Sequence, residues 1–342
     1  MPDRHQCDRS RLGRDAPQAD RLPTITGHRT VRTHTREDPI APITRRSLLG
    51  AALLLPLTSC ATTEPSPSGT SSTTSAAPTT PVVPVDGRWE ELEKEFDARL
   101  GVYAVHTGTG ASFAYRADER FAFCSTFKGL AAAAVLQRNP LQHLDTVVRY
   151  TEADLMKSSR ITREHVGTGM TIRDLCDAAV RYSDGTAGNL LVRDLGGPAA
   201  LTAFLRGLGD GVTRADRVEP DLVEATPGDP RDTTSPRAIG TDYQRIVLGD
   251  VLPAEQRAFL RDLLERNTTG DRRIRAGVPR GWAVADKTGS GDYGTANDIG
   301  IVWQPGGAPF VLAIMSSKTT GDAQYDEALL AEAAAQAVEV LT

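Results

Sequence analysis

Lysine is scarce in this 342-residue chain. Only five stand among 39 basic residues, against 44 acidic ones, for a formal net charge of -5. An acidic balance excludes the basic face that nucleic-acid backbones require, and equally a broadly basic membrane surface; a small-molecule substrate fits better. Cysteine is just as sparse at four, too few for a disulfide-built scaffold. Six histidines show no metal-ligand spacing, so His106, His143 and His165 read as surface or core residues and no metal site is expected. No apolar run approaches the roughly 20 residues needed to span a bilayer, and no internal repeat occurs.

Two of the five lysines nevertheless sit in recognisable company. Ser125-Thr126-Phe127-Lys128 comes first, Ser183-Asp184-Gly185 lies in the middle, and Lys287-Thr288-Gly289 follows. This ordered set points to acyl transfer through a serine. A hydroxyl is a weak nucleophile, so it needs a base within hydrogen-bond reach and donors aimed at the developing oxyanion. Residues three apart share a helix face, which puts Lys128 over the Ser125 hydroxyl. It can act as base if burial and a neighbouring cation keep its amine neutral, and Lys287 is the candidate cation. Ser125 begins an apolar segment running to Leu136, so its N-H groups are expected at a helix N-terminus, where partial positive charge favours an anion.

Order and spacing resemble the class A serine β-lactamases, in their actinobacterial form, within the penicillin-recognising serine enzymes. Ser-x-x-Lys alone occurs widely by chance, whereas several motifs in register do not. The fourth stretch is Arg217-Val218-Glu219-Pro220-Asp221-Leu222, continued by Pro227-Gly228-Asp229-Pro230-Arg231-Asp232-Thr233-Thr234, which looks like the family's omega loop. The resemblance covers Gly87 to Thr342. It implies an α/β fold: an antiparallel sheet flanked by N- and C-terminal helices, with a second, all-helical subdomain inserted.

Local patterns agree with that plan. Trp89, Leu92, Phe96 and Leu100 keep helical spacing, and Val102–His106 and Ser112–Tyr115 flank a Thr-Gly-Thr-Gly turn as a hairpin. Strand signals return only at Trp282–Lys287, Ile299–Trp303 and Pro309–Met315, before an apolar helix over Asp326–Leu341. The α/β part is therefore placed at about 87–117 and 266–342, the helical part at about 118–265, and the reactive site between them.

Before Gly87 the composition changes twice. Thr44-Arg45-Arg46-Ser47-Leu48-Leu49-Gly50 leads into an apolar run and then Leu57-Thr58-Ser59-Cys60, which reads as a twin-arginine export signal ending in a lipobox, with Cys60 the lipidated residue. An ordinary signal peptide with an incidental cysteine, and hence a secreted protein, is the alternative. Residues 1–60 form this leader; the long Arg-rich stretch before it suggests a later true start, Val31 being one candidate. Residues 61–86, rich in Ser, Thr and Pro, read as a flexible tether. A lipid anchor would be the chain's sole membrane attachment, and a monomer is expected. Cys7, like Cys60, lies outside the folded domain, and the other two cysteines, Cys124 and Cys176, are expected free and buried: some relatives pair one with a cysteine near Gly291 or on the Ser125 helix, but here stand Gly291 and Ala131-Ala132-Ala133-Ala134.

The resemblance assigns roles residue by residue. Ser125 is the nucleophile and Lys128 its base. The N-H groups of Ser125 and Ser290 form the oxyanion hole. Ser183 relays a proton to the β-lactam nitrogen while Lys287 tunes it. Glu219 activates the hydrolytic water, which separates hydrolysis from mere acylation. Thr288, Ser290 and Lys287 meet the substrate carboxylate, and Gly289 also lines the substrate site. Asn189 either contacts the substrate or orders the loop, and Arg217 with Asp232 closes that loop as an ion pair.

Four positions depart from the family pattern. Gly185 stands where Asn is commoner. Val223 replaces an Asn that shares the deacylating water, and an aliphatic chain cannot make that hydrogen bond. Ala296 occupies the place of a carboxylate-binding Arg, for which Arg273 is the substitute, with Arg275 a possible alternative and Arg272 a solvated turn residue. Ser158 stands in place of an aromatic gate, which would widen the entrance. The expected activity is β-lactam hydrolysis through a serine acyl-enzyme, without metal or organic cofactor. Two other readings stay open: a D-Ala-D-Ala peptidase or transpeptidase, against which Glu219 speaks, and a lipoprotein that acylates and stalls, which Val223 keeps open.

Overall fold

The computed structural model describes residues 86–342; the export signal, Cys60 and nearly all of the tether lie outside the described residues. Helix α1 (Arg88–Glu95) buries Trp89 and Leu92. Its period stops sooner than the sequence suggests: Asp97 takes a left-handed φ of 44°, the chain turns, and Leu100 enters strand β1 (Arg99–His106). β1 pairs with β2 (Ser112–Tyr115), Val102 facing Tyr115, as the hairpin pattern predicts.

The middle of the chain is largely helical. It runs β3 (Phe121–Ala122), a 3-10 turn at Cys124–Thr126, α2 (Phe127–Arg138), β4 (Val147–Val148), β5 (Met170–Thr171), α3 (Ile172–Arg181), α4 (Gly185–Leu195), α5 (Pro198–Gly207), β6 (Thr233–Thr234), α6 (Pro236–Val247) and α7 (Ala254–Glu265). The two-residue strands pair locally, β3 with β6 and β4 with β5; no two-residue segment can show the alternation by which a strand is read. α2 is apolar nearly all round and buried from Phe127 to Leu136, as a helix without a polar face must be. It packs against α3, α4, α6 and α7.

α8 (Ile274–Gly277), β7 (Ala283–Gly291), β8 (Thr295–Trp303), β9 (Phe310–Ser317) and α9 (Glu327–Glu339) complete the chain. The five-stranded antiparallel sheet has the order β2-β1-β9-β8-β7, so the two ends of the described chain build it together. In β9 the alternation sorts side chains between two cores: Phe310, Leu312 and Ile314 join Trp89, Leu92 and Leu330, while Val311, Ala313 and Met315 join the helical core. Covered on both faces, β9 reads as one unbroken apolar run. Burying each large aliphatic side chain there stabilises by about 1.5–3 kcal/mol.

Candidate active site

Ser125 does not open α2, as the sequence suggests, but is the middle residue of the 3-10 turn running into it. Cys124 just before it has a φ of 46°, and Ser183 one of 57°. Left-handed backbone at a residue other than glycine costs of order 1–3 kcal/mol and collects where function fixes geometry. Both turns bring hydroxyls to one place.

Lys128, a turn further on, donates from Nζ to Ser125 Oγ at 3.0 Å and to the Ser183 carbonyl at 2.8 Å. Lys287, on β7, donates to Ser183 Oγ at 3.1 Å. Two buried lysines thus hold Ser183, one by its carbonyl and the other by its hydroxyl. Glu219 closes the group: Oε1 lies 2.6 Å from Lys128 Nζ and accepts from Ser125 Oγ at 3.3 Å.

The electrostatics differ from the sequence expectation. A carboxylate, Glu219, is the nearest charged neighbour of Lys128, at 2.6 Å. It is Lys287 that is depressed, by burial first and Lys128 second, to a pKa of about 7. Burial pushes the Glu219 carboxyl upward, but Lys128 together with the Ser158 and Ser125 hydroxyls outweighs that and holds it below its ordinary value. Beneath Lys287, Asp298 is raised well above the carboxylate range by burial and by Asp286.

Strand β7 approaches Ser125 closely because residue 289 has no side chain. A Cβ there would come within 2.7 Å of the Phe123 carbonyl and 3.2 Å of Ser125 N. Thr288 shares a 2.5 Å hydrogen bond with Thr269. Arg273 is buried and donates from Nη2 to Ser290 Oγ at 2.8 Å and from Nη1 to the carbonyls of Gly289 and Asn297; Glu327 and Tyr325 flank it. Ala296 lies directly across from Ser290 on β8. Arg275 turns away to Asp286 at 2.5 Å, and Arg272 is 83% exposed, which places Arg273 alone of the three at the end of β7 beside Ser290.

Asn189 uses both ends of its amide on the loop: Nδ2 donates to the Glu219 carbonyl at 2.8 Å and Oδ1 accepts from Glu219 N at 3.0 Å. Of the two roles open to it, loop ordering is the one its contacts serve. Arg217 bonds Asp232 at 2.6 Å, and Val223 packs against the helical core. Ser158 is not merely a small residue at the entrance, since its hydroxyl donates to Glu219 Oε2 at 3.0 Å. Cys124 and Cys176 are free and buried. Among the described residues no cluster of His, Cys, Asp or Glu could hold a metal ion.

Thr269, Glu327, Tyr325 and the Asp286–Asp298 pair escaped sequence reasoning because each meets its partner across elements and belongs to no short motif. Cavity size is likewise no guide: one of about 800 Å³ lies between Arg99, Arg120 and the Thr226–Arg231 segment, and contains none of the reactive groups.

Residues 85–341 match the family model described as the Beta-lactamase enzyme family. A β-lactamase of Mycobacterium tuberculosis is 54% identical over 308 residues, 87% of this chain and 97% of the relative. One from Amycolatopsis lactamdurans is 56% identical over 265 residues, 78% of this chain and 88% of the relative. The crystal structure of a halotolerant bacterial β-lactamase superposes with a TM-score of 0.74 at 50% identity, covering 75% of this chain and 99% of that one. The chain belongs to the β-lactamase family, as a class A serine enzyme.

Proposed function

We propose that this enzyme hydrolyses the β-lactam ring of penicillins and cephalosporins in two steps through an ester on Ser125, and so confers resistance. The observation that carries this is the convergence of Lys128 Nζ and Glu219 Oε1 on one hydroxyl, 3.0 and 3.3 Å from Ser125 Oγ. In the ion-paired state Glu219 is the acceptor; a proton passed across the 2.6 Å gap to Glu219 frees the Lys128 amine to accept instead. Either way Ser125 loses its proton as it attacks the ring carbonyl. The N-H groups of Ser125 and Ser290 stabilise the oxyanion. Ser183, hydrogen-bonded by Lys287, passes a proton to the ring nitrogen as its bond to the acyl carbon breaks. Thr288, Ser290 and Arg273 receive the carboxylate, with Gly289 leaving room. The proton taken from Ser125 returns by way of Lys128 to Ser183, which leaves Glu219 a carboxylate again; Glu219 then takes a proton from water as the water attacks the ester, and gives it to Ser125 Oγ as the ester bond breaks and the product leaves.

Ser125→Ala tests the assignment: covalent labelling by a fluorescent penicillin disappears, and persistent labelling would overturn it. One observation favours slow deacylation, the inward packing of Val223, which leaves no amide from that position for the water. A penicillin-binding peptidase is disfavoured by Glu219 standing against the nucleophile.

We further infer export, with Cys60 lipidated and residues 61–86 as tether; no helix among the described residues is long and apolar enough to cross a membrane. Cys60→Ser should release activity from the membrane fraction and abolish palmitate incorporation. A monomeric enzyme is expected by light scattering.

A further inference from the structure

We propose that Ser158 is a positioning residue for the hydrolytic step: its hydroxyl holds Glu219 through the space that Gly185 leaves open. The role rests on Glu219 being the base. The two carboxylate oxygens are held separately, Oε1 by Lys128 and the Ser125 hydroxyl, Oε2 by Ser158 Oγ at 3.0 Å. With Asn189 fixing the Glu219 backbone on both sides, the head group loses its remaining freedom to swing only through the Ser158 contact.

Gly185 is what admits the contact. A Cβ at residue 185 would lie 2.3 Å from Glu219 Oε2 and 2.3 Å from Ser158 Oγ, far inside van der Waals range. Any side chain there must displace one partner. Ser158 also arrives prepositioned. The segment on either side of it is tied to the Ser183–Thr186 turn: Met156 N donates to Thr186 Oγ1 and Ser159 Oγ at 2.9 Å, Ser159 shares 2.7 Å with Thr186, and Ile161 N and Thr162 N donate to Asp184 Oδ2. Little rotamer and backbone entropy is then left to lose when the bond forms. Val223, partly buried against the core, offers no donor, so the Ser158 hydroxyl is a neutral donor on the Glu219 head group besides Ser125 itself.

The test uses the whole enzyme, with acylation read from the burst of a chromogenic cephalosporin and deacylation from intact-protein mass spectrometry over the acid limb of the pH profile. Ser158 is an exposed residue, so Ser158→Ala threatens no packing. It should slow deacylation about tenfold, the lower end for a hydrogen bond to a charged group. It should also move the acid limb to higher pH, because the ionised Glu219 loses a donor. Ser158→Thr restores both. Gly185→Ala reproduces the defect, and combining it with Ser158→Ala adds little more. Wild-type deacylation and an unmoved acid limb in Ser158→Ala overturn the role, as does a Ser158→Thr variant equally impaired. Glu219→Gln separates the two levels: if it turns over normally, the base assignment fails; if it stalls while Ser158→Ala behaves as wild type, only the role of Ser158 fails.

Discussion

Lys128 Nζ stands 2.6 Å from Glu219 Oε1, with the two side chains 0% and 7% exposed. A buried pair of this kind offsets its own desolvation only while both partners remain, and removing one strands the other. The same pair also brackets the Ser125 hydroxyl, so under the proposed mechanism stability and catalysis draw on one contact.

Lys128→Ala should therefore destabilise the fold by about 3–5 kcal/mol as well as slow acylation, seen together in urea unfolding and burst kinetics. Glu219→Gln should acylate and then stall, with turnover down by a hundredfold or more. A Lys128→Ala variant as stable as the wild type would show that the pair is not held as described.

The Lys287 amine, at a pKa of about 7, is charged below that value and neutral above it. A carboxylate substrate needs the charge, so kcat/KM for anionic β-lactams should fall as pH rises through this region, chiefly through KM. Lys287→Arg keeps its charge at every accessible pH and should abolish the limb, whatever it does to the absolute rate. A limb that survives this substitution belongs to another group.

Arg273→Ala should raise KM tenfold or more, since charge-assisted hydrogen bonds are worth about 1.5–3 kcal/mol. Arg275→Ala should cost stability rather than affinity, because it uncovers the buried Asp286 carboxyl. If the two effects are exchanged on steady-state and thermal assays, carboxylate recognition lies with Arg275.

How much of this was readable beforehand depends on sequence separation. Ser125 and Lys128 share a helical turn, so three-residue spacing alone put them together. β9 was visible because both its faces are buried, and β3 to β6 were hidden because two residues carry no period. Glu219 meets Ser125 across 94 residues, and only the family resemblance brought it into the site. Ser158 meets Glu219 across 61. Position 158 suggested only an absent ring, for a hydroxyl's direction is set by the neighbouring turn. The depressed Lys287 amine has the same origin: spacing reports proximity, whereas burial first and Lys128 second lower its pKa.

Val223→Asn should change deacylation by at most about tenfold, the worth of one neutral hydrogen bond of about 0.5–1.5 kcal/mol. Its side chain lies against the helical core, so a polar replacement gives up packing there, and a slower enzyme is the outcome if the amide keeps the same direction. Single-turnover mass spectrometry reads either sign. A gain far above tenfold would mean that the water is held by residue 223 more than by Glu219.

Asp242 supplies a test away from the site. Its carboxyl is buried, and burial first, then the neighbouring Asp210, raises its pKa to about 9, with Arg245 and Arg206 opposing without prevailing. The unfolded chain releases this proton near the ordinary carboxylate value of 3.8, so between about 3.8 and 9 the folded state holds a proton that the unfolded state does not. By linkage, stability then falls as pH rises across that window. Asp242→Asn has no proton to lose and keeps an N-H donor for Asp210. Its Tm should exceed that of the wild type increasingly from acid to mildly alkaline buffer, each 1 kcal/mol recovered appearing as roughly 2–4 °C in a domain of this size. Parallel Tm curves for the two proteins would show that Asp242 is ionised in the native state, and that its charge is compensated by Arg245 and Arg206 after all.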